Sequence, residues 1–156
     1  MRILELEQYF QSEETLSEVL NKLEDDFNIV DEYADMAKSG VYNNASAMDE
    51  IMIRLSGCHS NLITALGIAE SEKKNRELKK YSEIKIEFEK NPPLDSKGLP
   101  KSFTSAPAEK EASGSVANYR RIRNIIEAYK NSCSTSITTL QSVLKDMGKD
   151  YNHPQG

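Results

Sequence analysis

The amino-acid sequence predicts an all-α, elongated protein that assembles with copies of itself. Three long segments, at about residues 12–38, 45–90 and 115–147, repeat apolar side chains every three or four residues, the spacing that aligns them along one side of a helix. A Pro-rich central linker, residues 91–114, precedes the last segment. Hydrophobic residues make up 38% of the chain and tryptophan is absent. Long helices with few large apolar side chains often gain buried area by oligomerisation.

The first helix is predicted over residues 12–38. Ser12 is a suitable N-cap, and Glu13 and Glu14 suit the positive end of the helix dipole. Gly40 marks the turn that follows the helix. Apolar residues between these signals alternate at spacings of four and three, which indicates a heptad seam. The seam is Leu16, Leu20, Leu23, Phe27, Val30, Ala34 and Ala37.

The second helix is predicted over residues 45–90, which gives a length of roughly 65 Å at about 1.5 Å per residue. Its apolar stripe changes character near Ala69, so we expect its two ends to pack against different partners. The stripe before this point is Met48, Met52, Leu55, Leu62, Leu66 and Ala69, with His59 at one position. Beyond it the continuing positions are basic, and apolar residues resume on a rotated face as Leu78, Tyr81, Ile84 and Phe88.

Residues 91–114 are predicted to form a flexible linker. Pro92, Pro93, Pro100 and Pro107 prevent a continuous helix, and a structureless stretch of this length is more typical of a hinge or tether than of a compact domain. The predicted organisation is an N-terminal helical region (1–90), the linker (91–114), a C-terminal oligomerisation helix (115–150) and a tail (151–156).

The third helix is predicted to begin near Ser113 or Ser115 and to end near Met147, with Gly148 just after its last turn. Its flanks are rich in Ser, Thr and Asn, which are poor helix formers, so we expect it to need packing partners. Its apolar seam is the candidate oligomer interface: Tyr119, Ile122, Ile126, Tyr129, Cys133, Ile137, Leu140, Leu144 and Met147.

Positive charge is concentrated in two clusters of an otherwise acidic chain. The chain holds 20 Lys+Arg against 25 Asp+Glu, and residues 1–38 are its most acidic part, with 3 basic and 11 acidic side chains. The clusters are Lys73, Lys74, Arg76, Lys79 and Lys80 in the second helix and Arg120, Arg121 and Arg123 in the third. This distribution favours a helical scaffold that presents cationic stripes to an anionic partner.

The basic clusters fit two interpretations. The first cluster could be a solvated helix face stabilised by pairs four residues apart, such as Glu72 with Arg76. It could also follow a phosphate backbone, because Lys73, Arg76 and Lys80 share one face and Tyr81 could stack on an unpaired base. The second cluster could likewise bind phosphate or form only the charged rim of a helical interface.

The sequence contains no enzymatic motif. It has no glycine-rich phosphate loop, no nucleophile elbow and no paired-histidine metal motif. Cys58, His59, Cys133 and His153 could in principle supply zinc ligands, but Cys58 and His59 are adjacent and point about 100° apart on a helix. We therefore expect no enzyme activity, no cofactor and no metal.

Nothing in the sequence predicts a membrane span or an export signal. No run of about 18 apolar residues occurs, and acidic residues interrupt the apolar ones near the N-terminus. Two cysteines cannot make a disulfide framework, which favours a reducing cytoplasm.

Three stretches carry a resemblance to a known family. One runs from Ile68 to Lys74 as an apolar-to-basic helix and leads to the Tyr81–Ser82 pair, and another is the break rich in Pro, Ser and Lys. The third is the last helix, with Val116 to Tyr119, Cys133–Ser134, Ser142 and the Asp146–Met147 pair. Over roughly residues 45–150 the chain resembles the UvsY recombination mediators of T-even bacteriophages, although its N-terminal segment and linker look longer or different.

The resemblance implies a non-enzymatic, all-helical, ring-forming oligomer that acts in the cytoplasm of an infected bacterium. Such proteins bind single-stranded DNA and help to load a phage recombinase onto strands covered by single-strand-binding protein. By matching position, the resemblance implies DNA contacts at Lys73, Lys74, Arg76, Lys79 and Lys80. It also implies an oligomer interface from Val116 to Met147.

Two other functional classes fit the same sequence. A structural coiled-coil or virion-assembly protein would use the heptads, and its basic residues would only keep it soluble. An acidic helical adaptor or chaperone would capture a partner helix on the N-terminal seam. Salt-sensitive affinity for single-stranded DNA separates the mediator from both classes.

Overall fold

The protein is a bundle of α-helices in the computed structural model, which describes residues 3–40 and 44–151. The predicted all-α class is confirmed, since these ranges hold one isolated β-bridge, between Leu94 and Pro100, and no β-strand. No helix within them has the length and apolarity needed to cross a membrane. Of the predicted tail, only Tyr151 lies among the described residues. The helices are α1 (Ile3–Tyr9), α2 (Glu13–Leu16), α3 (Glu18–Lys22), α4 (Glu24–Ser39), α5 (Ala45–Lys90), α6 (Ser105–Ser115) and α7 (Ala117–Tyr151).

The helix predicted over residues 12–38 is divided into α2, α3 and α4, and α1 precedes it. Ser12 caps α2 as expected, but the chain breaks at Ser17 and again at Leu23. Near both breaks the hydrogen bonds span three residues, from the Leu20 amide to the Ser17 carbonyl and from the Leu23 amide to the Leu20 carbonyl. These tight turns interrupt the helix, so the acidic N-terminal segment is three short pieces followed by one longer helix.

α4, α7 and the first part of α5 form a three-helix bundle. The predicted bounds of α5, residues 45–90, are confirmed, and its buried residues all lie between Met48 and Ala69. α5 is antiparallel to both neighbours. The contacts that fix these directions are Arg54–Tyr33 and Asn61–Asp26 between α5 and α4, and, between α5 and α7, the Cys133 thiol with the Leu55 carbonyl and Arg123 with Glu70.

The apolar seam of α7 packs inside the single chain, which corrects its predicted role as an oligomer interface. The side chains of Tyr119, Ile122, Ile126, Cys133 and Leu140 are buried, and those of Tyr129, Ile137, Leu144 and Met147 pack against the same core. The apolar stripe of α5 runs antiparallel to the seam and covers it, so the heptads of the two helices pack against each other. α7 also continues through Gly148 to Tyr151 instead of ending near Met147.

The prediction of a flexible linker over residues 91–114 is wrong for its second half, where residues 105–114 belong to α6. Residues 91–104 include a tight turn in which the Asp95 carboxylate accepts hydrogen bonds from two backbone amides and Gly98 has a φ of 76°. α6 then begins at Ser105, because Pro107 lies in its first turn, where a proline breaks no intrahelical hydrogen bond. α6 packs along the second part of α5 and buries Ala108 and Ala112.

Candidate nucleic-acid interface

Lys73 and Lys74 of the first basic cluster and Arg120 and Arg123 of the second line one cleft between α5 and α7, although more than forty residues separate Lys74 from Arg120 in the sequence. Because the two helices pack antiparallel, their basic stretches lie side by side. The cleft has a volume of about 560 Å³. The residues that line it, which we call the cationic cleft, are Lys73, Lys74, Arg120, Arg123, Glu70, Glu77 and Asn124. Four cations against two carboxylates make this cleft positive in a chain of net charge −5.

Two arginines of α7 are held in fixed positions in the cationic cleft. Arg123 lies 2.6 Å from the Glu70 carboxylate of α5 and also donates to Glu127. Chiefly through the hydrogen bond to Glu70, the pKa of Arg123 is raised above its usual value. Arg120 Nη2 donates to the carbonyl and the hydroxyl oxygen of Ser113, at 2.7 and 2.6 Å. A guanidinium carries five N–H donors. Arg120 keeps three of them for an anion, whereas Arg123 already donates to Glu70, Asn124 and Glu127 and keeps one.

The two lysines on the α5 side differ in their surroundings. Lys73 Nζ lies 3.8 Å from the Glu77 carboxylate, one turn further along α5. Lys74 is exposed, and no ion pair involves it within the described part of the chain. Ion pairs at partly exposed positions contribute little to stability, so a phosphate can replace Glu77 as the partner of Lys73 at small cost.

Arg76, which the sequence analysis placed among the DNA contacts, lies outside the cationic cleft and makes structural contacts. Its Nη2 donates to the carbonyl oxygens of Phe10 and Gln11 at 2.8 and 2.5 Å. Its guanidinium carbon lies 4.5 Å from the centroid of the Tyr119 ring, and the Tyr119 hydroxyl donates to the same Phe10 carbonyl at 3.3 Å. Arg76 therefore attaches the junction of α1 and α2 to the bundle through both Nη2 donors.

Arg121 and Lys79 are exposed cations beside the cationic cleft or beyond it. Arg121 lines an adjoining open groove, which shares Arg120 and Asn124 with the cleft. Lys79 lines neither. No ion pair involves Arg121 or Lys79 among residues 3–40 and 44–151. Arg121 therefore extends the positive surface along α7, whereas Lys79 stands apart from it.

Lys80 and Tyr81 contact the lobe formed by α6 and the preceding turn. Lys80 Nζ lies 4.0 Å from the Glu111 carboxylate of α6. The Tyr81 ring packs edge-on against Phe103, with 6.2 Å between the ring centroids. Neither side chain lines the cationic cleft, so the predicted stacking of a base on Tyr81 is not part of this site.

Glu70, Glu77 and Asn124 line the cleft but were absent from the sequence-based set. The pairing of the two apolar stripes could have located Glu70, because it follows Ala69 just as Arg123 follows Ile122. When Ala69 and Ile122 face the same core, their polar neighbours meet at its edge. Recognising this requires the antiparallel register of α5 and α7, which neither segment specifies alone.

The chemistry available in the cationic cleft is that of anion binding. Its side chains are ammonium, guanidinium, carboxylate and amide groups. The two thiols of the chain lie in the core, where burial raises the pKa of Cys58 to about 12 and that of Cys133 to about 11. Among the residues that the structure describes, no group of His, Cys, Asp or Glu side chains is arranged to hold a metal ion.

The fold and the cleft define a helical-bundle protein with a cationic surface site. Compared with family models, curated proteins and solved structures, the chain gives no match.

Proposed function

We propose that this protein binds single-stranded DNA in the cationic cleft and serves as a non-enzymatic recombination mediator. One observation carries the proposal: two lysines and two arginines from basic clusters distant in the sequence line a single cleft on an acidic molecule. Lysine and arginine bind nucleic acids mainly by displacing the cations condensed on the phosphates. The preference for single strands and the partners, a phage recombinase and a single-strand-binding protein, are proposed from the resemblance in residues 68–82 and in the last helix.

The charge distribution supports binding at this one place. Residues 3–40 hold 11 acidic and 2 basic side chains, so the field around that segment repels phosphate. A strand that approaches the molecule is therefore attracted chiefly to the cationic cleft and to the adjoining Arg121 groove. No aromatic side chain lines either surface, and contacts to phosphate carry no sequence information. We therefore expect binding that depends little on base sequence.

Fluorescence anisotropy of a labelled single-stranded oligonucleotide tests the proposal at several salt concentrations, with a duplex as control. The cleft variant removes two cations of the cleft and one of the adjoining groove: Lys73→Ala with Lys74→Ala and Arg121→Ala. Each lost phosphate contact should reduce the salt dependence of single-strand binding by about 0.7 log units per log unit of salt, so the triple variant should lose about two. The matched control is Lys79→Ala with Lys85→Ala and Lys90→Ala, which removes equal charge from exposed positions of α5 outside the cleft.

The two variants separate the cleft from general surface charge. The proposal expects the control to retain the affinity and salt dependence of the parent and the cleft variant to lose both. Equal losses in the two variants would mean that the cleft is not the binding site. If the parent protein does not bind single strands even at low salt, the mediator function is wrong.

A further inference from the structure

The solvent-facing side of α5 is uncharged over about four turns. Between Arg54 and Glu70 the helix contains no Asp, Glu, Lys or Arg. Ile53 is 74% exposed and Ile63 is 49% exposed. The outward face of this stretch, which we call the neutral face, consists of Ile53, Ser56, Gly57, Ser60, Ile63, Thr64 and Gly67. A helix face that meets only water is normally rich in charge, so this composition is better suited to contact with protein.

The hydroxyl groups of the neutral face are already hydrogen-bonded within the helix. Ser56, Ser60 and Thr64 each donate to the carbonyl oxygen four residues earlier, at 2.8, 3.0 and 3.1 Å. Burying a polar group is costly when its hydrogen bonds are lost, and these donors keep theirs without water. Another protein surface can therefore cover the neutral face without leaving hydroxyl donors unpaired.

The two glycines of the neutral face have no explanation inside the chain. A glycine in a helix interior destabilises the helix by about 1 kcal/mol relative to alanine. Neither Gly57 nor Gly67 has a positive φ, and a Cβ atom added at either position would meet nothing within 4 Å. The fold would accept alanine at both positions. What glycine adds is room for another chain to approach the helix backbone closely.

The neutral face is self-complementary about Ser60. Ile53 and Gly67 lie seven residues to either side of Ser60, and Gly57 and Ile63 lie three residues to either side. We propose that two copies of this chain pair through their neutral faces, with the two α5 helices antiparallel and centred on Ser60. Each exposed isoleucine then lies over a glycine of the other copy, and the two Ser60 residues face each other.

Charged residues at the two ends of the neutral face support this antiparallel register. It brings Asp49 of one copy close to Lys74 of the other, and the two-fold symmetry repeats the pair at the opposite end. Both side chains are exposed, and neither forms an ion pair within the described residues. A parallel arrangement would instead place like charges side by side, which opposes association. The same register sets Glu50 of one copy opposite Glu70 of the other, so charge only favours antiparallel over parallel pairing, and the fit of isoleucine on glycine identifies a second copy as the occupant.

The first test is the mass of the full chain in solution as a function of concentration, by sedimentation equilibrium. Four turns of helix bury less area than the about 1,200–2,000 Å² typical of stable complexes, so we expect reversible dimerisation from the 17.6 kDa chain. Gly57→Glu with Gly67→Glu places a carboxylate against each exposed isoleucine of the other copy. This variant should be monomeric at every concentration. The matched control, Gly114→Glu with Ala128→Glu, adds the same charge at exposed positions of α6 and α7 and should dimerise like the parent.

The second test is disulfide trapping, which shows directly which residues of the two α5 helices face each other. The native thiols do not interfere, because Cys58 and Cys133 are buried and protonated at neutral pH. Ser60→Cys should give a covalent dimer on mild oxidation, whereas Ser71→Cys, also exposed on α5, should not. Equal trapping at both positions would overturn the antiparallel register. A parent mass of 17.6 kDa up to millimolar concentration would overturn the dimer, whether or not the protein binds DNA.

Discussion

The two halves of α5 differ in what covers them, although they form one continuous helix. Residues 45–69 contain all seven of its buried side chains, which α4 and α7 enclose. Residues 70–90 contain none. Their apolar side chains Tyr81, Ile84 and Phe88 are only half-buried, beside α6 and the turn before it. The first half is therefore part of a core, whereas the second half extends from it with one partly covered side.

The change of covering coincides with a change of charge. Residues 55–69 carry no charged side chain, and from Glu70 onward acidic and basic residues alternate closely. Ion pairs four residues apart, Lys73 with Glu77 and Lys85 with Glu89, support the second half, but such pairs stabilise a helix by only about 0.2–0.5 kcal/mol each. Its stability thus depends on continuity with the bundle, and the limited covering leaves cations accessible for binding.

Cavity-forming substitutions in the two halves should show the largest difference. Leu62 is fully buried in the first half, and Leu62→Ala should lower the free energy of unfolding by about 2–5 kcal/mol. Ile84 is half-buried in the second half, so Ile84→Ala should cost about 1 kcal/mol or less. Urea unfolding followed by circular dichroism measures both. Similar losses for the two variants would show that the second half is packed as tightly as the first.

Substitutions of two basic residues on adjacent turns of α5 should differ by less. Arg76→Ala removes the donor to the Gln11 carbonyl and one of two donors to the Phe10 carbonyl, and we expect a loss of about 1–3 kcal/mol. Lys79→Ala removes an exposed cation and should change stability by no more than about 0.5 kcal/mol. Amide hydrogen exchange should localise the effect of Arg76→Ala in α1 and α2. Unchanged exchange there would contradict the assignment of Arg76 as their anchor.

The sequence predicts the parts of the fold that depend on local patterns. The stripe from Met48 to Ala69 lies within one segment, and the bounds predicted for this helix are correct. The breaks at Ser17 and Leu23 were missed because the heptad spacing continues across them. α6 was missed because Pro107 was taken as a helix breaker, although a proline in the first turn is compatible with a helix.

The candidate site was predictable in composition but not in arrangement. Lys73, Lys74, Arg120 and Arg123 were chosen from charge alone, and the structure brings them together. Arg76 looked the same in the sequence, yet its partners are backbone carbonyls more than sixty residues away. No side-chain pattern records such a contact. The seam of α7 was likewise correctly identified as apolar, but spacing does not tell whether its partner belongs to the same chain.

The last expected effect is absent at neutral pH and concerns the two buried thiols of the bundle. Burial raises the pKa of Cys58 to about 12 and that of Cys133 to about 11, from an ordinary value of 9.0. The unfolded chain therefore releases these protons at lower pH than the folded chain does, and stability is lost as the pH rises above about 9. Urea unfolding under reducing conditions at pH 7, 9 and 10.5 should show this loss in the parent. Cys58→Ala with Cys133→Ala should lose less between these pH values, although burial also raises the pKa of Tyr119 and leaves a residual slope. An equal loss in parent and variant would mean that the thiols are not buried in the folded bundle. Because Cys58 is one of the buried residues of the first half of α5, the contrast in burial between the two halves would then be smaller.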